Sequence, residues 1–521
     1  MSAKAPAGSH DEARSRRPHP KGFSPKRHPF ASAIGALVLV GSLLRLPHFL
    51  VPIWAEGTEF HPFRQAQTLM MIREIMRGGL DFSSLLPVFG PPWVLPMEFP
   101  TYQNLAAMVG VGLGVDDVTA SRLTTLVTFQ ASAVLIAILA RRLVGPVAAV
   151  LALVFWEFGQ LLWVWSAAPT IEFLAVFFVM LGMLISLRAA GSAGWVAPAL
   201  ATAAWVLAFL TKFTTALVWM PFLLGVLWIA IGPPRLHVRM WLRACIPVTA
   251  GGLVGGVYVL HGDAVKAASP FTEFLTSANL RTWNFGTIDQ RLDPQMWDRI
   301  AMHANGIVGS SLIFLIVALV ALFVVPRRLA ILIGSGLVSI LGAILLLFNL
   351  YVIHDYYLIA VAPILVVIGG AIGQTLIRDL SRRVGARPAA VLTVITMTVL
   401  IVLSWALSQG REALEKFVYQ EWRYGQSVEI AQSTLPSDGV VVVGCSWSPE
   451  ILYYADRRGV MLQDSWQPGN LQHKIPSSWV DSAVQYVFLC TEGRAVESLF
   501  EESVESTRIS DRLYRIERPE A

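Results

Sequence analysis

The chain has 521 residues, of which 55% are hydrophobic and only 14% are charged, and its mean hydropathy is +0.58. This composition excludes a soluble enzyme of that length and indicates a polytopic α-helical membrane protein, whose apolar runs suit helices crossing about 30 Å of hydrocarbon. The formal net charge of +5 is less informative than its distribution, because Lys and Arg near membrane ends set orientation.

The first predicted element is a basic tail over residues 1–29, which is rich in Pro, Ser and His. Such a composition is typical of a disordered segment. Its cations place it in the cytoplasm by the positive-inside rule, and the first apolar run after it is predicted to be an uncleaved signal anchor. The cations are Lys4, Arg14, Arg16, Arg17, Lys21, Lys26 and Arg27.

A transmembrane domain over residues 30–408 is predicted to contain about eleven spans by window hydropathy. An odd number of spans puts the C-terminus outside, and the Arg clusters between spans then lie in the cytoplasm. The outer segments are then 49–118, 261–304 and 409–521. The spans fall near 30–48, 119–140, 146–166, 170–188, 196–211, 214–231, 243–260, 305–325, 329–350, 356–377 and 389–408.

The first outer segment begins with a charged stretch that crowds acids, an imidazole and a guanidinium at a membrane boundary. A carboxylate or imidazole can take a proton from a hydroxyl nucleophile, and a guanidinium can hold a phosphate bidentately. Glu59, His61 and Arg64, with Gln67 beside them, are therefore candidate site residues. The alternative is an ordinary solvated loop in which Arg64 reaches lipid headgroups.

Residues 63–77 have the spacing of an amphipathic helix, which we expect to lie along the membrane surface. A Pro-rich connection follows it and ends in the sequence Glu98-Phe-Pro-Thr-Tyr102-Gln. Glu98 is a second candidate base, and Tyr102 is a candidate donor ligand. The alternative for Glu98 is an acid placed before a helix N-terminus.

Two later positions put charges at the outer ends of spans. Glu172 opens the fourth span, where an acid is costly unless it is paired or hydrated. Lys212 stands in the shortest outer turn, from which it would reach an anionic headgroup. A snorkelling lysine without a role in a site is an equally good interpretation of Lys212.

The tenth span opens with His354, Asp355, Tyr356 and Tyr357. Aromatic residues alone would indicate an interfacial belt. A His-Asp pair among them can fix an imidazole tautomer and bind phosphate or sugar hydroxyls. All four are therefore candidate ligands of a phosphate or a sugar.

Residues 409–521 regain charged residues and short β-branched runs, which predict a small outer α/β domain. Strands are expected at Val440–Gly444, Val460–Gln463 and Tyr486–Cys490. No Gly-rich fingerprint follows the first strand, so no dinucleotide is predicted. Cys445 and Cys490 end two of these strands and form either a disulfide or two buried thiols.

Taken together, these motifs resemble the GT-C glycosyltransferases, in particular bacterial relatives of the protein O-mannosyltransferases and of lipid A aminoarabinose transferase in glycosyltransferase family 39. The resemblance extends over nearly the whole chain, in matching order. The motifs on which it rests are HPFRQAQT at 61–68, EFPTYQ at 98–103, the acid at Glu172, LTKFT at 210–214, HDYYLIAVAPIL at 354–365 and ILYYADRRG at 451–459.

The resemblance implies an enzyme of the cytoplasmic membrane that moves a monosaccharide from a polyprenyl-phosphate donor to an extracytoplasmic acceptor by inverting displacement. The acceptor would be a protein, a glycolipid or a wall glycan. A donor with a single phosphate implies no metal or other cofactor, and no nucleic acid is expected as a partner.

The catalytic base does not carry over from the resemblance, because relatives often place an Asp-Glu pair where this chain has His61-Pro62. Glu59 assisted by His61 is the first candidate, and Glu98 is its rival. Arg64, Lys212 and His354 are candidate phosphate ligands. The alternatives to an enzyme are a transporter or lipid flippase with an accessory outer domain, and a scaffold of an envelope assembly.

Overall fold

The computed structural model describes residues 29–46, 62–407, 425–435, 440–444, 448–462, 484–490, 496–500, 504–510 and 512–517. Helices make up most of the described chain before residue 408, and strands follow after residue 440. The helices of the first half are α1 (Pro29–Arg45), α2 (Pro62–Gly78), α3 (Thr101–Leu113), α4 (Asp117–Leu143), α5 (Pro146–Phe158), α6 (Gln160–Trp165), α7 (Glu172–Gly191), α8 (Val196–Thr211), α9 (Phe213–Val218), α10 (Met220–Ile231) and α11 (Val238–Ala267).

The helices of the second half are α12 (Arg281–Phe285), α13 (Ile288–Leu292), α14 (Pro294–Val308), α15 (Ser311–Val324), α16 (Arg327–Leu346), α17 (Phe348–Ile353), α18 (Ala362–Val384), α19 (Ala386–Leu407), α20 (Gly425–Thr434) and α21 (Glu450–Ala455). Short 3-10 helices lie at Pro234–Leu236, Glu273–Leu275, Asp355–Ala360 and Val496–Leu499.

The apolar helices make this a multi-pass membrane protein. Within the described residues, six helices are long and apolar enough to cross a membrane, or seven if α14 and α15, bent by 78°, count as one span. Shorter apolar helices lie in or at α1, α5, α8 and α10. Together these helices overlap the predicted spans, while the number of spans and their orientation stay predictions.

Breaks in the helices set several of the predicted site residues at helix ends. Between α8 and α9, Lys212 is extended, with φ −160° and ψ 101°, and His354 ends α17 with φ −121° and ψ 107°. Glu172 is the first residue of α7. In a membrane protein, irregular backbone between apolar helices is tolerated where it is enclosed by protein or lines a cavity.

Helix α2 matches the predicted helix over 63–77, but its surroundings differ from the prediction. Ala66, Leu69 and Met70 pack in one core with residues of the C-terminal domain, while Ile72 and Ile75 pack in another with α3 and the start of α7. Its apolar side therefore faces protein rather than a membrane surface. The amphipathic period is the same for either neighbour, so the sequence alone did not distinguish them.

The C-terminal domain contains a five-stranded mixed sheet with strand order β2-β1-β3-β5-β4. Both β2 and β3 pair with β1 in parallel, and β5 pairs antiparallel with β3 and β4. The three predicted strands are confirmed, and β4 and β5 are additional. The strands are β1 (Val441–Gly444), β2 (Gly459–Met461), β3 (Tyr486–Leu489), β4 (Ser506–Arg508) and β5 (Leu513–Ile516).

The edge strand β2 is covered by the first outer segment. The amide of Gly459 donates to the Pro87 carbonyl at 3.0 Å, and the amide of Met461 donates to the Val88 carbonyl at 3.1 Å. In return the amide of Gly90 donates to the Gly459 carbonyl at 3.1 Å. These bonds occupy a sheet edge that would otherwise be exposed and attach the domain to the segment between α2 and α3.

The cysteines follow the prediction in part. Cys490, directly after β3, is disulfide-bonded, and Cys245 in α11 is free. Cys445 lies outside the described residues. The parallel pairing of β1 with β3 is the adjacency that the sequence predicted for the strands that Cys445 and Cys490 follow.

A fully buried ion pair joins α1 to α5. Nη1 of Arg45 lies 3.0 Å from Oε2 of Glu157, and neither side chain is exposed. Nη2 of Arg45 also donates to the Glu157 carbonyl at 2.8 Å, and the guanidinium lies over the rings of Phe129 and Trp163 at 4.5 and 4.6 Å. This network fixes the end of α1 just before the outer segment begins.

Replacing Glu157 by Leu should lower the free energy of unfolding by about 3–5 kcal/mol, because it leaves the buried Arg45 charge uncompensated. The double variant Arg45→Met with Glu157→Leu should recover most of that loss. Thermal unfolding in detergent measures both. A double variant as unstable as the single one would contradict a pairing role.

Candidate functional site

Four charged side chains from distant parts of the chain meet where the ends of several helices come together. They come from α2, the connection before α3, the start of α7 and the break between α8 and α9. Nη2 of Arg64 lies 2.8 Å from Oε1 of Glu98, and Nζ of Lys212 contacts Oε1 of Glu172. We call Arg64, Glu98, Glu172 and Lys212 the ionic cluster; all four were singled out from the sequence.

The inner half of the ionic cluster is removed from solvent. The side chains of Lys212 and Glu172 are 4% and 1% exposed, and the hydroxyl of Thr170 donates to the other oxygen of Glu172. Separating two such charges would leave each uncompensated in a medium of low dielectric, at a cost of several kcal/mol. Their pairing therefore holds the start of α7 against the end of α8.

The outer half of the ionic cluster is more accessible, since the side chains of Arg64 and Glu98 are 12% and 21% exposed. Nη1 of Arg64 also donates to Oε1 of Gln67 at 3.4 Å, within α2. Burial alone would lower the pKa of the Arg64 guanidinium, but the carboxylates of Glu98 and Glu172 outweigh it and raise that pKa. Arg64 is therefore cationic throughout the working pH range.

The segment that carries Glu98 is fixed to the membrane helices by its backbone. The amide of Phe99 donates to the Leu210 carbonyl at 3.1 Å, two residues before Lys212. The hydroxyl of Tyr258 donates to the Glu98 carbonyl at 3.2 Å, and the ring of Phe99 meets that of Tyr258 edge-on at 5.5 Å. Tyr258 of α11, which sequence reasoning missed, thus fixes the backbone at Glu98.

Aromatic rings cover one side of the ionic cluster. Nζ of Lys212 lies 4.2 Å from the ring centroid of Tyr357 and 5.3 Å from that of Tyr356. The imidazole of His354 stacks on both tyrosine rings, with centroids 5.1 Å from Tyr356 and 5.9 Å from Tyr357. The predicted interpretation as a mere interfacial belt does not describe these residues, because they contact a buried cation.

Asp355 also contacts a tryptophan of another helix. Its Oδ2 accepts a hydrogen bond from Nε1 of Trp165 at 3.2 Å, which joins α6 to the 3-10 helix that starts at Asp355. Trp165 also meets the ring of Tyr356 edge-on at 5.2 Å. Asp355 thus positions the aromatic side of the site.

Tyr102, predicted as a donor ligand, instead joins α3 to α4. Its side chain is fully buried, and its hydroxyl lies 2.7 Å from Oγ1 of Thr125 and 2.9 Å from the carbonyl and Oγ of Ser121. Burial raises the pKa of Tyr102 to about 12. These contacts give the Tyr102 hydroxyl a role in packing, while its role in binding stays a prediction.

Glu59 and His61 lie outside the described residues, so the structure does not place them. Helix α2 begins at Pro62, directly after His61 in sequence, and Arg64 lies in its first turn.

The described geometry combines a fixed guanidinium, a buried ammonium, an imidazole and two carboxylates near the ends of the helices. Guanidinium and ammonium groups bind phosphate oxygens, and a carboxylate accepts a proton from a hydroxyl. In the described part of the chain no group of three or more His, Cys, Asp or Glu could hold a metal ion. The arrangement suits an anionic ligand and proton transfer.

Comparison with known families identifies the class of protein. Residues 103–260 match the family described as dolichyl-phosphate-mannose-protein mannosyltransferase. This match, which covers less than a third of the chain, confirms the predicted resemblance and the enzyme class, a glycosyltransferase. Comparison with curated proteins gives no match.

Solved structures share the fold at low sequence identity. ArnT from Cupriavidus metallidurans bound to undecaprenyl phosphate is 13% identical, with a TM-score of 0.55 over 94% of this chain and 98% of that one. The archaeal oligosaccharyltransferase AglB from Archaeoglobus fulgidus, in complex with an inhibitory peptide and a dolichol-phosphate, is 11% identical, with a TM-score of 0.53 over 89% of this chain and 69% of that one. These similarities confirm the GT-C fold.

Tyr102→Phe distinguishes packing from binding. Removing the hydroxyl should cost about 1 kcal/mol of stability, because Ser121 and Thr125 lose a partner, and should leave sugar transfer unchanged. Thermal unfolding in detergent and the transfer rate measure the two effects. A loss of transfer at unchanged stability would restore Tyr102 as a ligand.

Proposed function

We propose that this protein transfers a monosaccharide from a polyprenyl-phosphate donor to an acceptor on the extracytoplasmic side of the cytoplasmic membrane. The observation that supports the proposal is the ionic cluster, which brings Arg64 and Lys212 together at helix ends that are predicted to lie on the outer side. A lipid phosphate is an anion held at this depth by its own hydrocarbon chain. The bilayer is thus a partner in binding as well as a solvent.

The donor phosphate would be held by fixed cations. Arg64 offers a planar fork for two phosphate oxygens, and Lys212 adds a compact charge on the side of Tyr357. His354, stacked on the tyrosines, and the two tyrosine hydroxyls would complete the ring of donors around the phosphate. Such groups, preorganised where charge develops, lower the barrier for departure of the phosphate.

Transfer would be a direct displacement. The acceptor oxygen attacks the anomeric carbon, the bond from that carbon to the phosphate oxygen breaks, and the phosphate leaves with the electron pair. The acceptor proton passes to a carboxylate or imidazole. Glu98 is placed for this step by its ion pair with Arg64, because a phosphate that takes over the guanidinium frees the carboxylate to accept the hydroxyl.

Glu59, assisted by His61, is the other candidate base. His61 lies three residues before Arg64 in sequence, so this pair directly precedes the helix that carries the proposed phosphate ligand.

Similar proteins support a lipid-linked donor. ArnT has been crystallised with undecaprenyl phosphate bound, and the AglB structure is a complex with an inhibitory peptide and a dolichol-phosphate. The acceptor would be a protein, a glycolipid or a wall glycan. Comparison by mass spectrometry of polyprenyl-phosphate sugars in membranes with and without this protein would identify the donor, since the unused lipid-linked sugar should accumulate.

Arg64→Gln and Lys212→Gln should each reduce transfer by at least about 10²-fold, because each removes a charge that stabilises the leaving phosphate. Arg64→Lys should retain only a fraction of activity, since it keeps the charge and loses the fork. The matched control is Arg515→Gln in the exposed part of β5. Transfer from lipid-linked sugar is measured after checking membrane insertion; wild-type rates for Arg64→Gln would refute the phosphate site.

Glu98→Gln, Glu59→Gln and His61→Gln identify the base. We expect a loss of about 10²–10⁴-fold for the residue that takes the proton, because the amide or the missing imidazole cannot accept it. The transfer rates of the three variants are compared at equal expression. Full activity in both Glu59→Gln and Glu98→Gln would show that neither carboxylate is the base.

A further inference from the structure

A second charged site lies at the other end of α2, between this helix and the C-terminal domain. Its pocket has a volume of about 630 Å³. Arg73, Glu74 and Arg77 of α2 line one side, and the turn after α21 lines the other with Asp456, Arg457 and Arg458. Since α2 rises about 1.5 Å per residue, Arg77 is about 20 Å along the helix from Arg64 of the ionic cluster.

The pocket carries an excess of positive charge. Four guanidiniums line it against two carboxylates, and a third carboxylate, Asp117, pairs with Arg73 at 2.9 Å. Arg457 donates only to backbone carbonyls, among them that of Leu435 at 3.1 Å. No carboxylate within the described ranges forms an ion pair with Arg457, which leaves its charge available to a ligand.

Hydrogen bonds to carboxylates hold the side chains of Arg77 and Arg458 in place. Asp456 ends α21 in a left-handed conformation with φ 56°, which Asp tolerates. Its carboxylate accepts two hydrogen bonds from Arg77, from Nη1 at 2.9 Å and from Nη2 at 2.7 Å. These bonds hold the pKa of the Asp456 carboxyl below its ordinary value. Arg458 donates to Oε2 of Glu74 at 2.7 Å from the opposite side, with about half of its side chain exposed.

The remaining wall is apolar and strained at one position. Trp93 lines the pocket with φ 67°, a left-handed conformation that costs a bulky residue about 1–3 kcal/mol. Two backbone hydrogen bonds maintain this conformation. The Trp93 amide donates to the Gly90 carbonyl at 3.0 Å, and the Leu86 amide donates to the Trp93 carbonyl at 2.6 Å. The strain keeps a broad flat ring beside the arginines, a combination that suits a saccharide carrying an anion.

We propose that this pocket binds the phosphate or carboxylate group of an anionic saccharide, which is the acceptor of the transfer reaction. Guanidiniums of Arg457 and Arg458 contact the oxyanion, and the ring of Trp93 covers a sugar face. The assignment as acceptor rests on the proposed function, whereas binding itself does not. An acceptor anchored here would have to extend about 20 Å to reach the ionic cluster.

Calorimetric titration of the full chain in neutral detergent tests the pocket without any donor lipid. The probes are glucose 6-phosphate, glucuronate, neutral glucose and short-chain phosphatidylglycerol. We expect glucose 6-phosphate and glucuronate to bind more tightly than glucose and to weaken as salt rises. In Arg457→Gln/Arg458→Gln their affinity should fall at least about tenfold, because charge-assisted hydrogen bonds are lost. Arg515→Gln is the control.

Two further variants keep the outcome decisive. Arg458→Gln alone retains the backbone bonds of Arg457, so it should fold if the double variant does not and should still weaken binding. Trp93→Gly fits the left-handed backbone and should weaken the saccharides but not inorganic phosphate. Unchanged affinity in the Arg variants, or binding of phosphatidylglycerol alone, would overturn the proposal. Either result leaves the transfer tests of Arg64 and Lys212 unaffected.

Discussion

The buried pair of Glu172 and Lys212 is the interaction on which the arrangement of the site depends. Neither charge is stable alone in an enclosed, apolar environment, so each requires the other. Their pairing brings the first residue of α7 to the break between α8 and α9. Once these ends are joined, Phe99 bonds to the end of α8, and Glu98 arrives beside Arg64. Four segments thus converge because one ion pair must form.

Helix α2 links the outer domain to this point of convergence. Arg64 in its first turn belongs to the ionic cluster, while Arg73 and Arg77 near its last turn hold Asp456 of the C-terminal domain. The middle of the helix is buried on both sides. A displacement of the C-terminal domain would therefore move the Arg64 guanidinium, so the geometry of the ionic cluster depends on the position of the domain.

Sequence reasoning identified Glu172 and Lys212 because a charge at the end of an apolar span is costly unless it is paired, and it identified Arg64 and Glu98 from the charged stretch and the Pro-rich connection that follow the first span. It did not identify the partners, since Glu172 and Lys212 are 40 residues apart and their contact depends on how the helices pack. Arg45 and Glu157 escaped notice for the same reason, although both are charges in predicted spans. The strands β4 and β5 were missed because their short, polar sequences lack the apolar runs that predicted the other three.

The balance of charge in the ionic cluster bears on how such a site can favour reaction over binding. Two cations and two carboxylates cancel, so the resting cluster holds Arg64 and Lys212 in position without a ligand. A phosphodiester bound here, as proposed, would compete with Glu98 and Glu172 for the same cations, which would moderate its affinity. During departure the phosphate would gain a further negative charge, which the fixed carboxylates oppose and which Arg64 and Lys212 stabilise more strongly than they stabilise the phosphodiester. The cations would therefore favour the transition state over the ground state, which is the difference that accelerates a reaction.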